Sequence, residues 1–265
     1  MKTDMKYSLF LLLTLVFSVP FYLWGAIFPV ANLPFGLPIS FLMIFVPFVL
    51  SIVYAWTEKG SSGVVHLFNS IFDLKKAKAW AAVFCLTCMP TALLLSYFTM
   101  TLLSIPLPKD IVIPFRDVPI MVLLYFLGSI PEELGWTMTL TRPLTDRYGP
   151  VGAGALIGLV WALWHVIPWS WSHAMDWVSG MVMLNILMRI GMVLAFTQGG
   201  ASLFCALVFH TMINVSMGVF PNYGSNTNPW VISFWVLVFL AGTLYFLRSC
   251  PQTLKKETVG SVAKG

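Results

Sequence analysis

Glu132 and Glu133 stand side by side in PEELGWTMTL, inside a long apolar stretch. There an ionised side chain costs several kcal/mol unless it faces a cavity or a partner. Two other apolar stretches each bring an imidazole: WALWH ends at His165, and HTMIN begins at His210, with Asn214 one helical turn later. A carboxylate, two imidazoles and a carboxamide in a semi-dry pocket are the parts needed to activate a water and stabilise an oxyanion. Glu132, Glu133, His165, His210 and Asn214 are therefore the candidate catalytic set. Taken singly, each histidine reads more simply as a hydrogen-bonded packing residue; the adjacent glutamates do not.

The elements that carry these residues must live in lipid. The chain is 58% hydrophobic and 9% charged, whereas soluble domains have about 45–50% apolar and about 25% charged residues. A spanning helix needs about 20 residues, and eight apolar runs of that kind occur, at 8–31, 37–56, 80–106, 118–141, 151–171, 178–197, 201–220 and 230–248. The expected fold is an all-α polytopic transmembrane bundle forming a single integral-membrane domain over 1–265. The first run follows Lys2 and Lys6 as a signal peptide would, but lacks a small-residue cleavage site before Phe21 and reads as a retained helix.

Charge orients the bundle. With both termini cytoplasmic, one side receives Lys2, Lys6, Lys59, Lys75, Lys76, Lys78, Arg142, Arg147, Arg248, Lys255, Lys256 and Lys264, and the other only Lys109 and Arg116, as the positive-inside rule requires. The net charge of +5 then reflects topology, with the lipid bilayer as the partner. Nucleic acid is not one, because the basic residues lack interleaved aromatic platforms. Residues 57–79, the one long polar connection, read as a short amphipathic helix with Val65, Phe68, Ile71 and Phe72 at the cytoplasmic interface, and His66 as a surface residue of it.

Spacing brings the candidates together. His210 and Asn214 share a helix face, as do Trp161 and His165, and Gly154, Gly158 and Ala162 form a stripe of small residues that admits a neighbouring helix. Pro131 can kink the glutamate helix. Cys85 and Cys88 lie inside an apolar run and read as packing rather than as half of a zinc site. His173 carries no functional signal.

In order, EExxx, then WxxxH, then HxxxN on successive hydrophobic helices resembles the CAAX prenyl protease and bacteriocin-processing family of intramembrane endopeptidases, which includes type II CAAX prenyl endopeptidases and lysostaphin-resistance-A-like proteins. The similarity runs over about 119–219, with GLVWALWHVIPW and GGASLFCALVFHTMIN as the second and third motifs. It implies an endopeptidase of the cytoplasmic membrane, of bacterial type, acting on a membrane-associated peptide or protein. Glu132 with His165 would polarise the attacking water, His210 and Asn214 would hold the oxyanion, and Glu133 would support the first carboxylate. Family members are described as metalloproteases, so zinc is an implied cofactor, with Glu132, His165 and His210 as its candidate ligands; a metal-free water suits the same set.

One position departs. The first motif of the family reads EExxxR, and here Thr137 stands at the arginine position. Arg189, deep in the sixth run with Asn185 one turn away, is the candidate replacement counter-charge, and Arg142 a second. Two other functions fit the composition: a catalytically weak immunity or scaffold protein of the same fold, which Thr137 favours, and a proton-coupled transporter, for which no inverted repeat is present.

Overall fold

The computed structural model describes residues 2–28, 39–224 and 227–249, with side chains from Lys6 onward. The described residues form helices α1 (Lys2–Ile27), α2 (Phe45–Asn69), α3 (Ala79–Leu102), α4 (Val118–Glu133), α5 (Thr141–Ser170), α6 (Met175–Gln198), α7 (Leu203–Val219) and α8 (Pro229–Ser249), with no strand among them. A seven-residue π-helix, Leu134–Leu140, joins α4 to α5. Residues 29–31 of the first expected span, 37–38 of the second, Cys250, and the tail with Lys255, Lys256 and Lys264 lie outside the described residues.

Six helical stretches among the described residues are long and apolar enough to cross a membrane, and α7 is a shorter apolar helix. One of the six, Val118–Ser170, runs for 53 residues, about 80 Å at 1.5 Å per residue, against a hydrocarbon core about 30 Å thick. It folds back on itself. The backbone leaves helical geometry at Gly149 (φ 70°, ψ 169°), a left-handed conformation that glycine adopts without steric cost. Beyond it, the indole of Trp161 reaches the carboxylate of Glu132, which a straight helix would hold about 43 Å away. The two limbs are the expected runs 118–141 and 151–171; with them and α7, the apolar segments match the eight read from sequence.

Several boundaries differ, among them the start of α1 at Lys2 and the end of α3 at Leu102. The first helix ends at Ile27, and α2 continues well past residue 56 because it bends at Gly60 (φ 61°, ψ −147°) and resumes to Asn69. The resumed limb is the expected amphipathic segment: Leu67 and Ile71 are buried, while Val65 and Phe72 are exposed.

Opposite charges gather the loops at one end. Lys6 pairs with Glu58, tying the start of α1 to the bend of α2. The segment before α3 bonds the α6–α7 turn through Lys78 N to Gly199 O (2.9 Å) and Ser202 Oγ to Asp73 O (2.9 Å). The ring contact of Trp80 with Phe246 brings the end of α8, and Arg248, to the same place. At the opposite end Asn222 N donates to Val112 O (2.8 Å), joining the connection that carries Lys109 and Arg116 to the α7–α8 turn. Most of the basic residues that can be placed thus segregate to one end of the bundle, with Lys109 and Arg116 at the other.

The central helix is α6. In its apolar window 78% of residues are buried, against 28–39% in the other spans. It lies against the small-residue stripe of α5, where a Cβ added to Gly154 would sit 2.6 Å from Ile190 Cα, and one added to Gly158 would sit 2.8 Å from Ile186 Cα and 3.0 Å from Arg189 Cβ. The stripe is what lets Arg189 approach the carboxylates.

The positive-inside rule predicts that the basic end faces the cytoplasm. In a Cys250→Ser background, Lys109→Cys is expected to react with an impermeant maleimide in intact cells and Lys75→Cys only after the membrane is opened. Reversed labelling refutes this orientation.

Candidate active site

The π-helix begins where the acidic pair ends, and such insertions recur at functional sites because they re-aim side chains. Its widened turn is visible in the 3.3 Å bond from Thr139 Oγ1 to Leu134 O, five residues back. Gly135 on its first turn lies against Pro47 of α2, which seats the segment against the bundle.

Glu133 is fully buried and all its oxygens are engaged. Arg189 Nη1 donates to Oε2 at 2.8 Å, Thr137 Oγ1 donates to the same oxygen at 2.5 Å, and His210 Nδ1 lies 2.8 Å from Oε1. Arg189 is itself 0% exposed, so this is a desolvated ion pair, stabilised by geometry and by the added hydrogen bonds rather than by solvent. Because an ionised carboxylate only accepts, His210 presents Nδ1–H to it and turns Nε2 away. The residue expected to support Glu132 instead anchors α6, α7 and the imidazole of His210. The position where the family motif has arginine donates a hydroxyl, and the cation comes from α6.

Glu132 faces another partner. Trp161 Nε1 donates to Oε2 at 2.8 Å, and Oε1 has no hydrogen-bond partner among the described residues. The carbonyl of Trp161 lies 2.8 Å from Nδ1 of His165. Since a carbonyl only accepts, that nitrogen carries the proton, and neutral His165 keeps the lone pair of Nε2 free to take one. Edge-to-face contacts place the Trp161 ring 5.4 Å from His165 and 5.5 Å from His210, and the Arg189 guanidinium lies 4.4 Å over it. Behind His165, α1 latches onto α5: Tyr22 OH donates to Trp164 O (2.7 Å), and Trp164 Nε1 donates to Ser18 Oγ (2.6 Å). Trp169 stacks on the other side of the ring at 5.0 Å.

Asn214 is half-buried on the helix face of His210 and makes no side-chain hydrogen bond to any described residue. Its carboxamide is free to bind something that the protein does not provide. Arg189 Nε and Nη2 are likewise buried without partners, the kind of place where a bound water belongs.

Zinc needs three or four donors at about 2.0–2.2 Å. Among the described residues no group of three His, Cys, Asp or Glu side chains is placed to hold a metal ion. In this conformation Glu132, His165 and His210 do not form one ligand set.

Two residues gain roles that the sequence did not assign. Trp161 was read only as sharing a face with His165, yet its side chain and its carbonyl serve two candidates at once. Thr137 was read as a loss, although its four-residue step from Glu133 is the spacing at which helical side chains meet. His173 stacks on Trp177 at 3.7 Å, and its ring nitrogen bonds its neighbour Ser172. Cys85, Cys88 and Cys205 are buried and free.

Comparison with known proteins converges on the same stretch. The family described as type II CAAX prenyl endopeptidase Rce1-like matches residues 114–216. CAAX prenyl protease 2 of Methanococcus maripaludis is 28% identical over 240 residues, covering 82% of this chain and 86% of that protein. The matched segment begins just before α4 and ends just past Asn214, enclosing both glutamates, Trp161, His165, Arg189 and His210, so it is over the site itself that the chain is similar to Rce1-like CAAX prenyl endopeptidases.

Proposed function

We propose that this protein hydrolyses a peptide bond close to the C-terminus of a membrane-associated substrate, using a water activated by Glu132 and His165. The observation that carries the reading is the division of labour between the two glutamates. Glu133 is saturated by the protein, whereas Glu132 is fixed through one oxygen and leaves the other available. A water between Oε1 of Glu132 and Nε2 of His165 loses its proton as it attacks the carbonyl. The oxyanion that forms is met by the carboxamide of Asn214 and by the imidazole of His210, which the buried carboxylate of Glu133 orients through Nδ1. The proton then passes to the leaving amine as the C–N bond breaks. The ring of Trp161 and the apolar surroundings exclude bulk water, so each of these interactions is stronger than it would be in solvent.

Thr137 carried the reading of an inactive immunity or scaffold protein. With Arg189 on Glu133 the carboxylate has its counter-charge, which supports catalysis instead.

Glu132→Gln preserves size and removes the base, so cleavage of a membrane peptide is expected to vanish while the protein stays folded; His165→Ala should match it. Asn214→Ala is expected to lower kcat by on the order of 10²–10³, the usual loss for one oxyanion donor, with little change in substrate affinity. Full activity in both Glu132→Gln and His165→Ala would refute a proteolytic site here.

Trp161→Phe keeps a ring over Arg189 but deletes the N–H that holds Glu132. One hydrogen bond to a charged group contributes about 1.5–3 kcal/mol, so kcat should fall roughly 10- to 100-fold with the melting temperature nearly unchanged. A large drop in melting temperature would assign Trp161 to packing.

Arg189→Leu leaves Glu133 buried and unpaired, a loss of about 3–5 kcal/mol. Adding Thr137→Arg should restore part of the lost thermal stability in detergent, because the new guanidinium is one turn from the carboxylate. Strict additivity of the two changes would show that they do not share Glu133.

A further inference from the structure

At the basic end of the bundle, against the last turn of the π-helix, lies a cavity of about 380 Å³ lined by Met138, Thr139 and Arg142, by α2 and the segment that follows it, and by Phe196 and Ala201. Its charges are unequal in their commitments. Glu58 is paired with Lys6 and Asp73 with Lys76, whereas the exposed side chains of Lys59 and Arg142 make no ion pair or hydrogen bond with any described residue. His66 lines it too. Two uncommitted cations from different elements therefore face one concave space, and no described residue neutralises them.

We propose that this cavity binds the C-terminal carboxylate of the substrate, held between Lys59 and Arg142. The inference rests on the endopeptidase reading above. A CAAX box ends its chain, so cleavage within it leaves at most three residues and a terminal carboxylate on the departing side. Three extended residues reach about 10–11 Å. Thr139 and Arg142 follow Glu133 by six and nine residues, about one to two turns further along the same helical stretch. A departing tripeptide is thus of the length needed to run from the glutamates toward this cavity. A guanidinium and an ammonium from different elements recognise a carboxylate by charge-assisted hydrogen bonds, and they would distinguish a true chain end from an internal segment. The phosphate of an anionic lipid offers the same chemistry, so the test must separate the two sources.

The test uses the full chain in nanodiscs and a prenylated CAAX peptide made as the free acid and as the C-terminal carboxamide. The wild type should show a KM lower by on the order of 10-fold or more for the acid. Lys59→Gln with Arg142→Gln should raise the KM of the acid to that of the amide, leave the amide unchanged and leave kcat within about 2-fold, while Arg142→Lys, which keeps the charge, retains the preference. The proposal falls if the wild type treats acid and amide alike, or if the double variant keeps the preference. It also falls if the effect of the substitutions follows the phosphatidylglycerol content of the nanodisc rather than the peptide terminus, which would assign the cavity to a lipid headgroup. Fluorescence anisotropy with the same peptides on Glu132→Gln protein reads the preference without turnover. Acid-selective binding in a protein that cleaves nothing would sink only the proteolytic reading, and cleavage without acid selectivity would sink only the subsite.

Discussion

Everything around the site depends on keeping one ion pair dry. Arg189 and Glu133 are both fully buried, and each charge taken out of water costs several kcal/mol before any attraction is counted. The carboxylate is well compensated, with donors from the π-helix, α6 and α7. The guanidinium is less so: one N–H reaches Glu133, its face lies over Trp161, and Nε and Nη2 find no protein acceptor. An arrangement this expensive is held together by close helix packing, and that packing exists because α5 presents Gly154 and Gly158 to the backbone of α6. The stripe of missing side chains and the buried charge are two halves of one design: without the first, the second could not reach its partner.

From that pair the rest of the geometry follows. Glu133 orients His210, His210 and Arg189 border the ring of Trp161, and Trp161 sets both Glu132 and the tautomer of His165. The chain of contacts crosses four helices in a single layer, so the reactive groups are positioned by rigid elements rather than loops, as precise placement requires. Adjacent glutamates separated by about 100° around a helix can serve different neighbours, and here one faces the structural side of the layer while the other faces the side where Asn214 and His165 keep unfilled capacity.

Much of this was legible in the sequence because lipid leaves little freedom. The apolar runs became helices, since the bilayer core offers no other way to satisfy a single-chain backbone short of a barrel. The rare polar residues inside them converged for the same reason. The small-residue stripe and the one deep arginine were readable as a close approach and a spare cation. What escaped was decided by tertiary contacts with no compositional trace. The π-helix at Leu134–Leu140 is a shift of hydrogen-bond register within an ordinary apolar sequence. Which glutamate meets Arg189 depends on helix rotation, which neighbours leave open. The double service of Trp161 involves a backbone carbonyl, and no residue type reports that. The bend at Gly60 falls inside the polar connection 57–79, whose composition does not reveal that α2 runs through it to Asn69.

The order of synthesis gives the buried pair a further consequence. Glu133 precedes Arg189 by 56 residues, so at about 5–20 residues per second its helix emerges some 3–11 s before the cation that neutralises it. During that interval α4 and the first limb of α5 are complete, yet the carboxylate has neither Arg189 nor His210 beside it. An isolated hairpin of this composition cannot settle into hydrocarbon with the charge exposed. It has to wait, sheltered by the insertion machinery or lying near the interface, until α6 arrives to close over it. The buried pair thus also bears on when the helices can leave the translocation channel, and in what company.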